Sequence, residues 1–207
     1  LSTLRAYTDL LLERPDRAEK VLPSVARQVD RMEYTVSGLL EIASISEGSA
    51  LRLETADLVQ AVRSLEPGLQ DMVDEYGQRL VVDLPDWPLS VRLDLQLLSR
   101  LLDNLVENAC KYSNQGTRIT VRVRRDEQHA VLSVIDQGRG IAPEDLPFVF
   151  DRFHRGVNTQ EIRGSGLGLA IAKEAVRRLG GSIGVESEVG VVATFRVLLP
   201  LVAPETR

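Results

Sequence analysis

The sequence predicts an α+β fold, a two-layer sandwich of one sheet and its covering helices, preceded by an antiparallel helical hairpin. Three observations carry this expectation. Val25, Val29, Met32, Val36, Leu39 and Ala43 are spaced alternately four and three apart, the a/d seam of a coiled coil or bundle. Ile119 to Val123 and Ala130 to Ile135 alternate in and out, as strands with one buried face do. Leu98, Leu101, Leu102, Leu105, Ala109 and Tyr112 fall on one face of a helix and are placed to cover a sheet.

At 207 residues the chain suffices for one large domain plus an appendage. A net charge of -5 gives nucleic acid no electrostatic footing. No apolar run approaches the roughly 20 residues that cross a bilayer, so this part of the chain is not expected to enter a membrane. The single cysteine, Cys110, excludes an internal disulfide framework.

Residues 1–48 are read as the hairpin. Leu4, Leu11 and Leu12 form a stripe on a first helix, Arg14-Pro15-Asp16 breaks it, and Pro23 sits in the first turn of a second. The narrow seam fits a hairpin that dimerises into a four-helix bundle; a pair packing only on its own domain fits as well. Residues 49–204 are read as the α+β domain. Asp57 caps a helix that runs to Tyr76 and ends at Gly77, with Pro67 bending or interrupting it. Leu80 to Leu84 and Leu89 to Leu93 are short strands around a Pro85 to Pro88 turn, where Trp87 is expected as a packing anchor. A helix follows over Asp94 to Tyr112, then a hairpin turning at Asp126 to His129. The last helix, Leu167 to Leu179, closes at Gly180-Gly181 before strands near 182–185 and 192–199.

Four features carry chemistry. Asn104, Asn108 and Lys111 form a polar stripe at i, i+4 and i+7 on the 94–112 helix. Amide oxygens and an ammonium suit a magnesium-bound polyphosphate; a solvated helix face accounts for the stripe equally. Asp136-Gln-Gly-Arg-Gly-Ile ends a strand, putting a carboxylate at the sheet edge within reach of an exocyclic amine, although an ordinary turn reads the same. Gly164-Ser-Gly-Leu-Gly-Leu opens the last helix with exposed N–H groups, an anion site that is neither a Rossmann fingerprint nor a P-loop. Phe150-Asp-Arg-Phe-His-Arg-Gly precedes a polar stretch, Val157 to Arg163, suited to a lid hinged at Gly156 and Gly164.

In this order the features resemble the histidine-kinase branch of the GHKL ATPases. Asn104-Leu-Val-Glu-Asn-Ala-Cys-Lys-Tyr-Ser is similar to the N box, Asp136 to Ile141 to the G1 box, Phe150 to Phe153 to the F box, and Gly164 to Leu169 to the G2 box. Gly190 to Phe195 resembles the closing segment, with Ala193 where a second glycine is usual. The resemblance covers nearly all of residues 50–200 and implies the Bergerat ATP-binding fold. It implies ATP and Mg2+ as cofactors, with Asn108 on the metal and Asn104 supporting metal and phosphates. Lys111 and Arg155 would meet phosphate, and Tyr112 would line the adenine pocket. Asp136 would read the adenine amine, with Thr194 assisting. Gly138 and Gly140 would shape the adenine side, and Gly164, Gly166, Leu167 and Gly168 the phosphate side and lid.

Hydrolysing GHKL members carry a water-activating glutamate where this chain has Asn104, whose amide is no general base. The resemblance therefore implies transfer of the γ-phosphate to histidine, catalysed through Asn104 and Lys111, for relay to a response-regulator receiver domain. A hydrolysing ATPase, an anti-sigma-type serine kinase and a non-catalytic nucleotide-binding module are the rival readings. Glu107 is expected to be solvated or to contact the lid. Neither histidine is expected to be the acceptor: His129 reads as a turn residue and His154 as part of the lid. The opening Leu1-Ser-Thr-Leu-Arg resembles the stretch just after the H box, which puts the acceptor upstream and leaves this chain able to bind ATP without labelling itself. A homodimeric parent in the bacterial cell membrane, with this portion cytoplasmic, completes the expectation.

Overall fold

A computed structural model describes residues 2–14, 17–46, 52–156 and 164–202. Helix α1 (Ser2–Glu13) folds back on α2 (Ala18–Ser46). The break at Arg14 is held by Arg14 N–H donating to Leu10 O at 2.8 Å. Pro23 lies inside α2 rather than in its first turn. Pro23 and Glu19 are both exposed, so the carbonyl that the missing N–H leaves unpaired is hydrated.

The remaining elements are β1 (Glu54–Asp57), α3 (Leu58–Glu75), β2 (Arg79–Asp83), β3 (Ser90–Leu93), α4 (Leu95–Tyr112), β4 (Arg118–Asp126), β5 (His129–Asp136), α5 (Gly168–Arg178), β6 (Ser182–Glu188) and β7 (Val192–Pro200). Local chemistry starts both central helices. Asp57 accepts from Val59 N–H at 3.0 Å, and the same oxygen takes Leu89 N–H, tying α3 to the segment before β3. Asp94 accepts from Gln96 N–H and Leu97 N–H and so begins α4. Pro67 does not interrupt α3, because Pro67 and Arg63, whose carbonyl loses its partner, both face water.

Five strands form one sheet in the order β2-β4-β5-β7-β6. Only the β2–β4 pair is parallel. Ile119, Val121, Val123, Ala130, Leu132, Val134, Phe195, Val197 and Leu199 project from one face into the core beneath α3, α4 and α5. The layer is closed by α4, whose Leu98, Leu101, Leu102 and Leu105 have no exposed surface. The strands on either side of Pro85 to Pro88 are present, but β2 joins the main sheet while β3 pairs with β1, a strand the pattern did not predict. One expectation gives way here. Trp87 is no anchor, with 57% of its surface exposed.

The packing of α2 on α5 is unusually close at one point. A Cβ built on buried Gly38 would lie 2.6 Å from Leu167 Cδ1 and 3.2 Å from its Cβ, so glycine lets the α2 backbone rest on that side chain without shifting it. The proposed boundary at residue 48, like the lid stretch 157–163, lies outside the described residues.

Candidate functional site

Three segments converge around α4. Its Asn104 donates through Nδ2 to Arg100 O at 2.8 Å, which turns Oδ1 outward. A Cβ on Gly168 would meet that Oδ1 at 3.0 Å. Glycine therefore lets the N-terminus of α5, with its unpaired N–H groups, come up against the Asn104 amide. Asn108 follows one turn later, also half-buried. Among the described residues no cluster of His, Cys, Asp and Glu forms a metal site, leaving these amide oxygens as the hard donors on this stripe.

The F-box and G2-box residues are locked together. Phe153 N–H donates to Gly166 O at 2.9 Å, and Gly166 adopts φ +73. A Cβ there would lie 2.7 Å from His154 O, so the contact requires glycine. Phe153 shares the left-handed region at φ 66, a strained conformation for an aromatic residue. Phe150 packs edge-on against Phe195 with ring centroids 6.2 Å apart. His154 Nε2 lies 3.3 Å from Asp145 Oδ1, so the histidine belongs to the base of this segment. Gly164 has open space around it, and nothing steric requires glycine there. Arg155 is half-buried beside His154. Leu167 is 1% exposed and packs into the core, its N–H donates to Ser165 Oγ at 3.3 Å and its carbonyl accepts from Ile171 N–H, so it shapes the phosphate side by packing and not by contact.

At the other end of α4, Asp136 terminates β5. Contrary to expectation, β5 is the central strand, so the carboxylate sits at a strand end inside the sheet and not at its edge. It is 3% exposed, and burial pushes its carboxyl up to about 6, against lowering by the amides of Gly138 and Ala193. Gly138 N–H donates to Asp136 Oδ1 at 2.9 Å. A Cβ on Gly138 would collide with Tyr112 O, and would lie 2.8 Å from Asp136 Oδ1 and 2.9 Å from Ser113 Oγ. Arg139 N–H donates to Tyr112 O at 3.1 Å, and its guanidinium lies 5.9 Å from the Tyr112 ring centroid. Gly140, at φ +64, is pressed against the Glu188 and Val189 backbone. This loop is thus clamped between the end of α4 and the β6–β7 turn.

One assigned residue is placed elsewhere. Thr194 pairs in register with Ile135, whereas Asp136 pairs with Ala193. Ala193, Phe195, Val134 and Asp136 share the buried face, so the pleat puts Thr194 on the opposite one. Ala193 is the neighbour of the carboxylate; Thr194 is not. Lys111 is ion-paired within α4: its ammonium lies 2.8 Å from Glu107 Oε1, and the residue lines a hollow of about 430 Å³ with Glu75, Tyr76, Gln78 and Ser113.

Sequence reasoning missed Gln78, which is 5% exposed. Its Nε2 donates to Cys110 O and Ser113 O at 3.0 Å, satisfying the last carbonyls of α4 and fixing the turn onto which the Asp136 loop docks. Cys110 is 2% exposed, and burial pushes its thiol up to about 12, an inert packing residue as expected.

A half-open two-layer sandwich with an asparagine-bearing helix between an acidic strand end and a glycine-rich helix N-terminus defines a nucleotide-binding domain of the GHKL type. Residues 93–203 match the family described as "Histidine kinase-, DNA gyrase B-, and HSP90-like ATPase", and the chain belongs to that family. It is 34% identical to the sensor histidine kinase WalK of Bacillus subtilis over 209 residues, covering 97% of this chain and 34% of WalK. It is 30% identical to the sensor protein SrrB of Staphylococcus aureus over 210 residues, covering 97% of this chain and 35% of SrrB. The chain thus spans about a third of the length of these relatives. Among solved structures, the mycobacterial sensor histidine kinase MprB matches with TM-score 0.64 and 31% identity, over 72% of this chain and 98% of that one. Acinetobacter baumannii histidine kinase AdeS, at 23% identity, shares the fold with TM-score 0.66 over 97% of this chain and 98% of its own. The α+β region is homologous to the catalytic domains of sensor histidine kinases.

Proposed function

We propose that this chain is the ATP-binding catalytic core of a sensor histidine kinase, delivering the γ-phosphate of ATP to a histidine for relay to an aspartate of a response-regulator receiver domain. The observation that carries this reading is the meeting of Asn104 Oδ1 with the Gly168 end of α5, on the same helix whose far end holds the Asp136 loop. One groove along α4 then has an anion end and a base end. In it, Asp136 reads the adenine amine beside Gly138, Gly140 and Tyr112. Asn104 and the N–H groups of Gly166 and Gly168 hold the phosphates, with Gly164 and Arg155 at the lid.

The donor chemistry fits magnesium: Asn108 offers one hard amide oxygen, which suits an ion that keeps its waters and shares phosphate oxygens. Bound Mg2+ would neutralise charge developing on the phosphates. Transfer forms one P–N bond to the imidazole and breaks the P–O bond to ADP. Asn104, in place of a glutamate, leaves water unactivated, so the groove presents phosphate to another nucleophile. Residues 1–48 are assigned to part of a dimerisation hairpin and 49–204 to the catalytic domain. The relatives' designation as sensor kinases supports a membrane-bound parent with this portion in the cytoplasm, and the exposed Val29 and Val36 of α2 support a homodimeric one. Among the described residues no helix is long and apolar enough to cross a membrane.

Calorimetric titration tests the reading. Wild-type protein should bind Mg-ATP, and Asp136→Asn should weaken it by roughly 10- to 100-fold, the worth of a hydrogen bond to a charged group. Asn108→Ala should lose the magnesium dependence. Full Mg-ATP affinity in Asn108→Ala would overturn the metal assignment, and stable phosphate labelling of His129 or His154 would overturn the assignment of the acceptor.

A further inference from the structure

The Glu107–Lys111 ion pair lies on α4 beside Asn104 and Asn108. Glu107 precedes Lys111 by four residues, the favourable sense for a helical ion pair. The side chains are 33% and 16% exposed, so water screens them less than it would a free surface pair. One turn earlier stands Asp103, which accepts from Ser99 Oγ at 3.3 Å. Its carboxyl is raised first by burial and then by the charge of Glu107. Asp103 and Glu107 thus put two acidic groups one turn apart on one edge of α4, and the Lys111 ammonium is drawn to the nearer one, Glu107, while Glu75 lines the same hollow as Lys111.

We propose that Glu107 is a positioning residue for Lys111: it holds the ammonium off the Asn104–Asn108 stripe until a polyphosphate takes it over. It thereby sets how much of the nucleotide affinity comes from the phosphates. A phosphate chain carries more charge than one carboxylate and competes for the same ammonium. The pair thus lowers affinity for phosphate-bearing ligands while leaving the base end of the groove untouched. The inference rests on the nucleotide-binding reading above and concerns a residue that reading leaves without a role.

The test is a comparison of ATP, ADP and adenosine binding to wild type, Glu107→Gln, Lys111→Met and the double variant, with each variant's folding checked by thermal unfolding. Glu107→Gln should tighten ATP and ADP by about three- to fivefold, the scale of a partly exposed ion pair, and leave adenosine unchanged. In the Lys111→Met background the same substitution should do nothing. Equal effects on adenosine and ATP, or no effect on any ligand, would overturn the proposal. So would a gain that persists without Lys111, since Glu107 would then act only by repelling phosphate. Glu107→Asp, with its shorter reach, should fall between wild type and glutamine. If wild type binds no ATP, the nucleotide reading itself fails; if wild type binds and only the Glu107 arm is silent, this inference fails alone.

Discussion

Helices α2 and α4 are both amphipathic, yet they meet different fates. The face of α4 is covered by its own chain: Leu98, Leu101, Leu102 and Leu105 rest on the sheet and on α3 and α5 with no exposed surface. The seam of α2 is covered only in part: Val25 and Met32 are half-buried. Val29 is 41% exposed, Val36 54% and neighbouring Leu40 65%, although the a/d spacing through Val29 and Val36 is regular. The two helices show that an apolar stripe states a demand for burial without saying who meets it. In α4 the demand is met within the domain, so packing stabilises the fold. In α2 the demand at Val29 and Val36 is not met among the described residues, and the proposed dimerisation of the hairpin would meet it.

The largest expected effect breaks the comparison at its stronger end. Leu102→Ala removes a side chain with no exposed surface from between helix and sheet, and should cost about 2–5 kcal/mol. Urea unfolding followed by circular dichroism would measure it. A loss below about 1 kcal/mol would mean that α4 is not the closing element of the core.

The next effect concerns what the covered region contains besides apolar groups. Asp136 is buried with its carboxyl near 6, above the ordinary 3.8. The folded protein therefore holds this proton more tightly than the unfolded chain does. Its contribution is fully present below about pH 4, is lost as pH rises toward 6, and stays lost above that, so this group makes stability fall with rising pH. The change is on the order of 2–3 kcal/mol across that window. In Asp136→Asn the slope from this site should vanish, and subtracting the two pH profiles isolates it from the other carboxylates. A flat difference profile would show that the carboxylate is hydrated in solution. The same buried charge that weakens the fold is the one proposed to read adenine, a cost located at the site and offset by the apolar layer around it.

What the sequence made legible follows the same division. Asp57 and Asp94 were readable as helix starts because a cap is a local device, satisfied two or three residues on. The β4–β5 hairpin was readable because its turn and alternation lie within one short stretch. The Asn104, Asp136 and Gly166–Gly168 segments were readable as motifs, since a glycine required by a neighbouring backbone leaves a mark in sequence. Pairings at a distance left none: β2 joins β4 in parallel across α4, and Gln78 holds the end of α4 from another element. β1, a polar four-residue strand, offers no period to detect. The Thr194 assignment failed for a different reason, because its signal was present. Exposed Arg196 and buried Phe195 fix the pleat of β7 and put Thr194 with the arginine. The alternation along β7, and not the motif, decides which side chain neighbours Asp136.

The smallest effect on stability sharpens the weaker end of the comparison. Val36→Ser alters a side chain that is 54% exposed and already meets water, so it should change unfolding free energy by no more than about 0.5 kcal/mol in dilute solution. Self-association should respond where stability does not. If the seam of α2 is the contact surface of a second copy, sedimentation at rising concentration should show wild-type protein associating more strongly than Val36→Ser, and more strongly again than the Val29→Ser, Val36→Ser double variant. Stability unchanged with association weakened would place the two apolar stripes in different roles, one folding the chain and the other joining chains. Stability lost to the same degree as in Leu102→Ala would erase that distinction and show that α2 is packed within its own subunit.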